Sequence, residues 1–176
     1  MDVRDTITVC KVLPLPGYAG LWDSIIVPAE VKDRLLRAAL LGLRLRTALP
    51  FDVTALHGLV VLHGPPGTGK TTLARGLPQE LAGFTKEKKA RLVEVNAHGL
   101  MSAEHGQSQQ KVAELLGEYI PTLADDGLPT VVLLDEVESM AVARSEASLS
   151  ANPADVHRAT DAVLAALDAN AVSYPH

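Results

Sequence analysis

The stretch LHGPPGTGKTTLARGL, residues 62–77, limits what this chain can fold into more than any other: three glycines and two prolines stand directly ahead of a lysine and a pair of threonines. Gly64 to Thr71, GPPGTGKT, matches the spacing G-x-x-x-x-G-K-[ST] and lies between an apolar run and a helical pattern. Glycines there let consecutive backbone N–H groups turn toward one anion, and a helix beginning near Lys70 aims the positive end of its dipole at the same point. Gly64, Pro65, Pro66, Gly67, Thr68, Gly69, Lys70, Thr71 and Thr72 are therefore expected to cradle the phosphates of ATP. Lys70 would meet the β and γ phosphates, and the Thr71 hydroxyl would face Mg²⁺. The plainer alternative is a glycine-rich turn that only joins strand to helix.

A second signal is VVLLDE, Val131 to Glu136, an apolar run that ends in two adjacent carboxylates. Such a pair is costly at the end of a buried strand unless it faces a cation or a polar cleft. Asp135 is expected to hold Mg²⁺ through its water shell, and Glu136 to act as the base that polarises the attacking water. The plain alternative for the pair is an exposed acidic helix start, stabilised by the dipole. The aspartate-glutamate order favours an ATPase over a small-molecule kinase, for which the glutamate would have no equivalent task.

Around these motifs the hydrophobic period alternates. LVVLH (59–63), RLVEV (91–95) and TVVLL (130–134) read as buried strands. Residues 70–82 and about 108–120 read as helices, the latter with Val112, Leu115, Leu116, Tyr119 and Ile120 on one face. Strand-helix alternation implies an α/β fold with a parallel sheet. Ahead of it, PAEVKDRLLRAALLGLRLR places Val31, Leu35, Leu36, Ala39, Leu40 and Leu43 on one stripe of an amphipathic helix opened by Pro28. Residues 1–20, with VLPLPGYAG, read as an extended lead-in, and 21–176 as the nucleotide domain. Beyond the third strand, SEASLSAN reads as a polar loop, and Asn152 with Pro153 opens a further helix. Gly76 and Pro78 inside the helix at 70–82 predict a bend.

Composition narrows the function class. Sixteen Lys and Arg against 21 Asp and Glu give a formal net charge of −5. That balance argues against binding nucleic acid by general phosphate neutralisation. A single cysteine, Cys10, cannot form an internal disulfide, and no apolar stretch is long enough to span a bilayer. A cytoplasmic setting, or a nuclear one in a eukaryote, is expected. His98, His105 and His157 have no metal-site spacing.

With both motifs placed, the chain resembles the AAA+ ATPases, and within them the pachytene-checkpoint branch that remodels HORMA-domain proteins. GLWDSIIVPAEVKDRLL, LLDEVESMAVAR and DVHRATDAVLAALD carry the resemblance. It implies a three-layer α/β/α P-loop NTPase whose function is an ATP-driven ring, usually a hexamer, acting on a HORMA-domain protein. In this reading Trp22 and Asp23 lie near the nucleotide edge, against the plainer expectation that a lone tryptophan is core. Glu104 and His105, within LMSAEHGQSQQKV, occupy the place of the first central-channel loop, where such motors commonly present an aromatic or bulky apolar residue. An ordinary polar surface loop is the alternative there.

The resemblance stops at LDANAVSYPH, where the fourth strand should begin. β4, β5 and the helical lid of the family, with its sensor and arginine finger, are then expected to be missing, and the chain alone to turn over ATP weakly. In the family sheet order 5-1-4-3-2, residues 59–63 and 130–134 should stand two inter-strand spacings apart, about 10 Å, or pair otherwise. Two other functions compete: a nucleotide-dependent binding module or switch with little turnover, against which Glu136 argues, and a small-molecule kinase, which lacks a visible arginine cluster for a substrate lid.

Overall fold

The computed structural model describes residues 2–48, 58–100 and 107–135. In chain order these form a 3-10 turn Val3–Thr6, strand β1 (Ile7–Leu13), a short helix α1 (Leu21–Ser24), the long helix α2 (Ala29–Ala48) and α3 (Lys70–Ala82). Then come β2 (Ala90–Asn96), the helical turn α4 (Ala97–Leu100), α5 (Gln107–Glu114) running on as a π-helix Leu115–Tyr119 into α6 (Ile120–Leu123), and β3 (Thr130–Asp135). The strands make a mixed three-stranded sheet in the order β1-β2-β3.

Contacts divide the described residues into two compact units: 2–9, 94–100, 107–126 and 134–135 in one, and 10–48, 58–93 and 127–133 in the other. Two bonds set the strand directions. The Arg91 N–H donates to Pro129 O at 2.7 Å, so β2 and β3 start side by side and run parallel. The Thr8 hydroxyl donates to Glu94 O at 3.2 Å, joining the start of β1 to the later part of β2, so β1 is the antiparallel member. Residues 7–13 of the expected lead-in are thus a paired strand. VLPLPGYAG concealed this because its prolines and glycines follow the strand instead of interrupting it.

β2 is buried along Ala90–Val95, as a central strand flanked on both sides should be. The run at 59–63 differs from expectation. It forms no strand, and Leu59, Val60 and Val61 are exposed. Among the described residues no ladder joins it to β3. Only Leu62 of this run packs against the core, so an apolar sequence here reports side-chain burial without strand pairing.

The core of the second unit is Trp22, Leu35, Leu73, Leu77 and Leu81, with Ile25, Leu36, Ala39, Leu40, Leu43, Leu62 and Val131 packed around it. The α2 stripe read from the sequence therefore faces inward, except Val31, which is exposed at the first turn. Trp22 is 8% exposed and takes the packing role, its ring beneath the Lys32 ammonium at 5.9 Å.

Helix α3 continues through Pro78, which is fully buried, to Ala82. The presence of Gly76 in this helix has a steric cause. A Cβ there would lie 2.8 Å from Trp22 N and 3.1 Å from Trp22 Cα, so α1 and α3 meet backbone against backbone. Alanine normally stabilises a helix interior by roughly 0.5–1 kcal/mol over glycine. At this contact the sign should reverse: Gly76→Ala should destabilise by about 1–3 kcal/mol through overpacking. Urea denaturation checks this, and a midpoint at or above that of the parent would refute the close approach.

Candidate nucleotide-binding site

The loop at 64–69 is built by positive backbone angles at two of its glycines. Gly67 has φ 76° and Gly69 has φ 84° with ψ 15°, a left-handed conformation that would strain any residue with a Cβ. Gly69 has a second constraint, since a Cβ there would fall 2.6 Å from Ile25 Cδ1. A left-handed residue followed by the right-handed helix start at Lys70 turns successive N–H groups to one side, the geometry of an anion-binding nest.

Helix α3 begins on this loop without a side-chain cap. Its ladder opens with Leu73 N–H donating to Gly69 O at 2.9 Å, so the amides of Lys70, Thr71 and Thr72 precede the intrahelical ladder at the positive end of the dipole. The Lys70 ammonium folds back over the loop, donating to Gly64 O at 2.9 Å and Pro65 O at 2.8 Å. Of its three N–H donors, two are held by these carbonyls. The Thr68 hydroxyl also donates to Pro65 O, at 2.9 Å, tightening the turn.

The sequence-predicted residues Gly64 to Thr72 thus lie in one unit, on one loop and one helix start. Their donor set, backbone amides with an ammonium and hydroxyls, suits a polyphosphate, and Thr71 with a carboxylate oxygen suits Mg²⁺. Asp135 ends β3 as an exposed residue of the other unit. Glu136, Glu104 and His105 lie outside the described residues.

Two contacts with the loop-bearing helix went unread in the sequence. Ile25 packs at Gly69, and the Gln79 side-chain oxygen of α3 accepts from the Leu15 N–H at 3.1 Å. Gly76, a glycine inside a helical pattern, was the available sign that another backbone comes close.

Comparison with known proteins places this loop in a wider context. Residues 60–173 match the model of the ATPase family associated with various cellular activities (AAA). The chain is 48% identical over 164 residues to CD-NTase-associated protein 6 of Pseudomonas aeruginosa, covering 93% of this chain and 54% of that protein. It is 37% identical over 160 residues to the pachytene checkpoint protein 2 homolog of Arabidopsis thaliana, covering 89% of this chain and 34% of that one. The solved structure of C. elegans PCH-2 superposes with a TM-score of 0.62 at 28% identity, over 94% of this chain and 41% of that one. The chain therefore spans about half of the bacterial relative and about a third of the plant one. With the loop geometry and a family match that begins at the apolar run ahead of it, the chain belongs to the AAA family of ATPases.

Proposed function

We propose that this chain is the nucleotide-binding part of an ATP-hydrolysing motor that remodels a protein substrate, a HORMA-domain protein by its resemblance to the pachytene-checkpoint branch. The observation that carries the proposal is the start of α3, where left-handed Gly69 precedes the helix and the Lys70 ammonium lies over Gly64 O and Pro65 O, a donor arrangement suited to a polyphosphate. Similarity to CD-NTase-associated protein 6 and to the pachytene checkpoint homologs supports the protein-remodelling half of the reading. The ring assembly comes from the same resemblance.

Lys70 exchanges its carbonyl partners for phosphate oxygens, and the first-turn amides of α3 take up charge on the same group. Thr71 and Asp135 would hold Mg²⁺, and the ion would supply neutralisation of phosphate charge. Glu136, next in sequence after Asp135, takes the proton from the attacking water.

Lys70→Ala should raise the Kd for Mg-ATP at least about tenfold, equivalent to ~1.4 kcal/mol or more. Isothermal titration calorimetry measures it, and an unchanged Kd would dismiss the cradle. Glu136→Gln should keep nucleotide affinity while turnover falls by about 10²-fold or more, because an amide cannot accept the proton. Phosphate release at saturating ATP reads this. Equal turnover in parent and variant would remove Glu136 from the chemistry, and binding without turnover in the parent would favour a nucleotide-dependent switch.

For Glu104 and His105, the reading is a loop that touches the threaded substrate. Replacing both by alanine should reduce remodelling of a HORMA-domain protein several-fold while basal hydrolysis changes by less than about twofold. Equal loss of both activities would make the segment an ordinary structural loop.

A further inference from the structure

The direction in which the nucleotide loop aims its donors depends on the backbone of Gly69. At φ 84° and ψ 15° this residue lies in the left-handed basin. Only a left-handed residue followed by right-handed Lys70 turns the neighbouring N–H groups to one side. A glycine, however, populates negative φ about as readily as positive, so its own chemistry leaves the basin unspecified.

One restraint lies within the loop, where the Lys70 ammonium joins Gly64 O and Pro65 O. Lys70 exchanges those carbonyls for phosphate oxygens in the reading given above, so this restraint ends when the ligand arrives. A second restraint comes from outside the loop. A Cβ on Gly69 would meet three carbons of one side chain, Ile25 Cδ1 at 2.6 Å, Cγ1 at 3.3 Å and Cγ2 at 3.4 Å. Ile25 thus fills the volume that a side chain at Gly69 would need, and covers that face of its backbone.

The Ile25 side chain is itself held in place. It follows α1 with extended backbone, φ −90° and ψ 115°, directly after Ser24, whose hydroxyl donates to Leu21 O at 2.7 Å. α1 is seated on α3 where Gly76 meets the Trp22 backbone, and Ile25 packs against the core that Trp22 shares with Leu73 and Leu77. A β-branched side chain has few χ1 rotamers to choose from, so a seated isoleucine makes a stiff support.

We propose that Ile25 is a positioning residue for the nucleotide loop: it holds Gly69 in the left-handed basin before a ligand arrives, and acts on the phosphate site through that backbone, without touching the nucleoside. The role rests on the reading of the loop as a polyphosphate site. When only a fraction of molecules holds the competent loop, the apparent Kd rises by the inverse of that fraction. Loss of the support therefore weakens every ligand of the loop by the same factor.

Calorimetry on the 176-residue chain with two probes tests this: Mg-ATP, and Mg-tripolyphosphate, which carries the phosphates without base or sugar. In Ile25→Ala the Kd of both should rise about three- to tenfold and by a common factor. Ile25→Val, which keeps both γ carbons and lacks Cδ1, should fall between parent and alanine. Leu40→Ala thins the same core from α2 and should leave both constants within about twofold of the parent.

Parent-like affinity for both probes in Ile25→Ala overturns the proposal; if alanine unfolds the chain, the same result in Ile25→Val does so. An equal loss in Leu40→Ala also overturns it, by making the effect a general one of the core. A loss for ATP alone, with tripolyphosphate bound as in the parent, would put Ile25 against the nucleoside and sink the positioning role while leaving the loop as a phosphate site. Failure of that underlying reading has its own signature: tripolyphosphate ignored by the parent, or bound by Lys70→Ala as tightly as by the parent. The role of Ile25 falls with it.

Discussion

The contact between Gly76 and the Trp22 backbone is the constraint from which the nucleotide loop takes its position. It allows α3 to lie against α1 at a distance no side chain would permit. Fixed there at its middle, α3 is held near its C-terminal end by the bond between Gln79 and Leu15, and at its N-terminal end by Ile25 against Gly69. The leucines of the same helix, Leu73, Leu77 and Leu81, supply the buried area that stabilises this arrangement against the stripe of α2. A helix located at three points along one side presents its first turn in a defined direction, and the first turn is where the chemistry of the loop resides.

Much of this was legible in the sequence because its signals are local. The glycine spacing of 64–69, the leucine period of α3 and the apolar run of β2 each state a backbone conformation or a burial pattern within a few residues. What could not be read depends on partners distant in sequence. ITVCKVL alternates too weakly to announce a strand, and becomes one because β2 offers an edge. LVVLH has the composition of a strand yet forms none, because composition cannot say whether a neighbour lies alongside. Gly76 looked like a helix weakness until Trp22 explained it.

The other unit follows the same logic with different materials. Here the N-terminal turn, stabilised by its own capping box, meets Gly99 on one element and Tyr119 on another. A glycine once more marks a close approach, here of the Thr6 side-chain methyl.

The two carbonyl bonds of Lys70 have a thermodynamic consequence. A free lysine side chain gives up on the order of 2 kcal/mol of rotamer entropy when it is fixed. Here that ordering accompanies the folding of the loop, since the ammonium already rests on Gly64 O and Pro65 O. An arriving polyphosphate therefore meets a cation whose motion is already restricted, and what it must offset is the exchange of two hydrogen bonds. The contribution of this lysine to binding should then be governed by enthalpy, as one set of oxygen acceptors is replaced by another of higher charge.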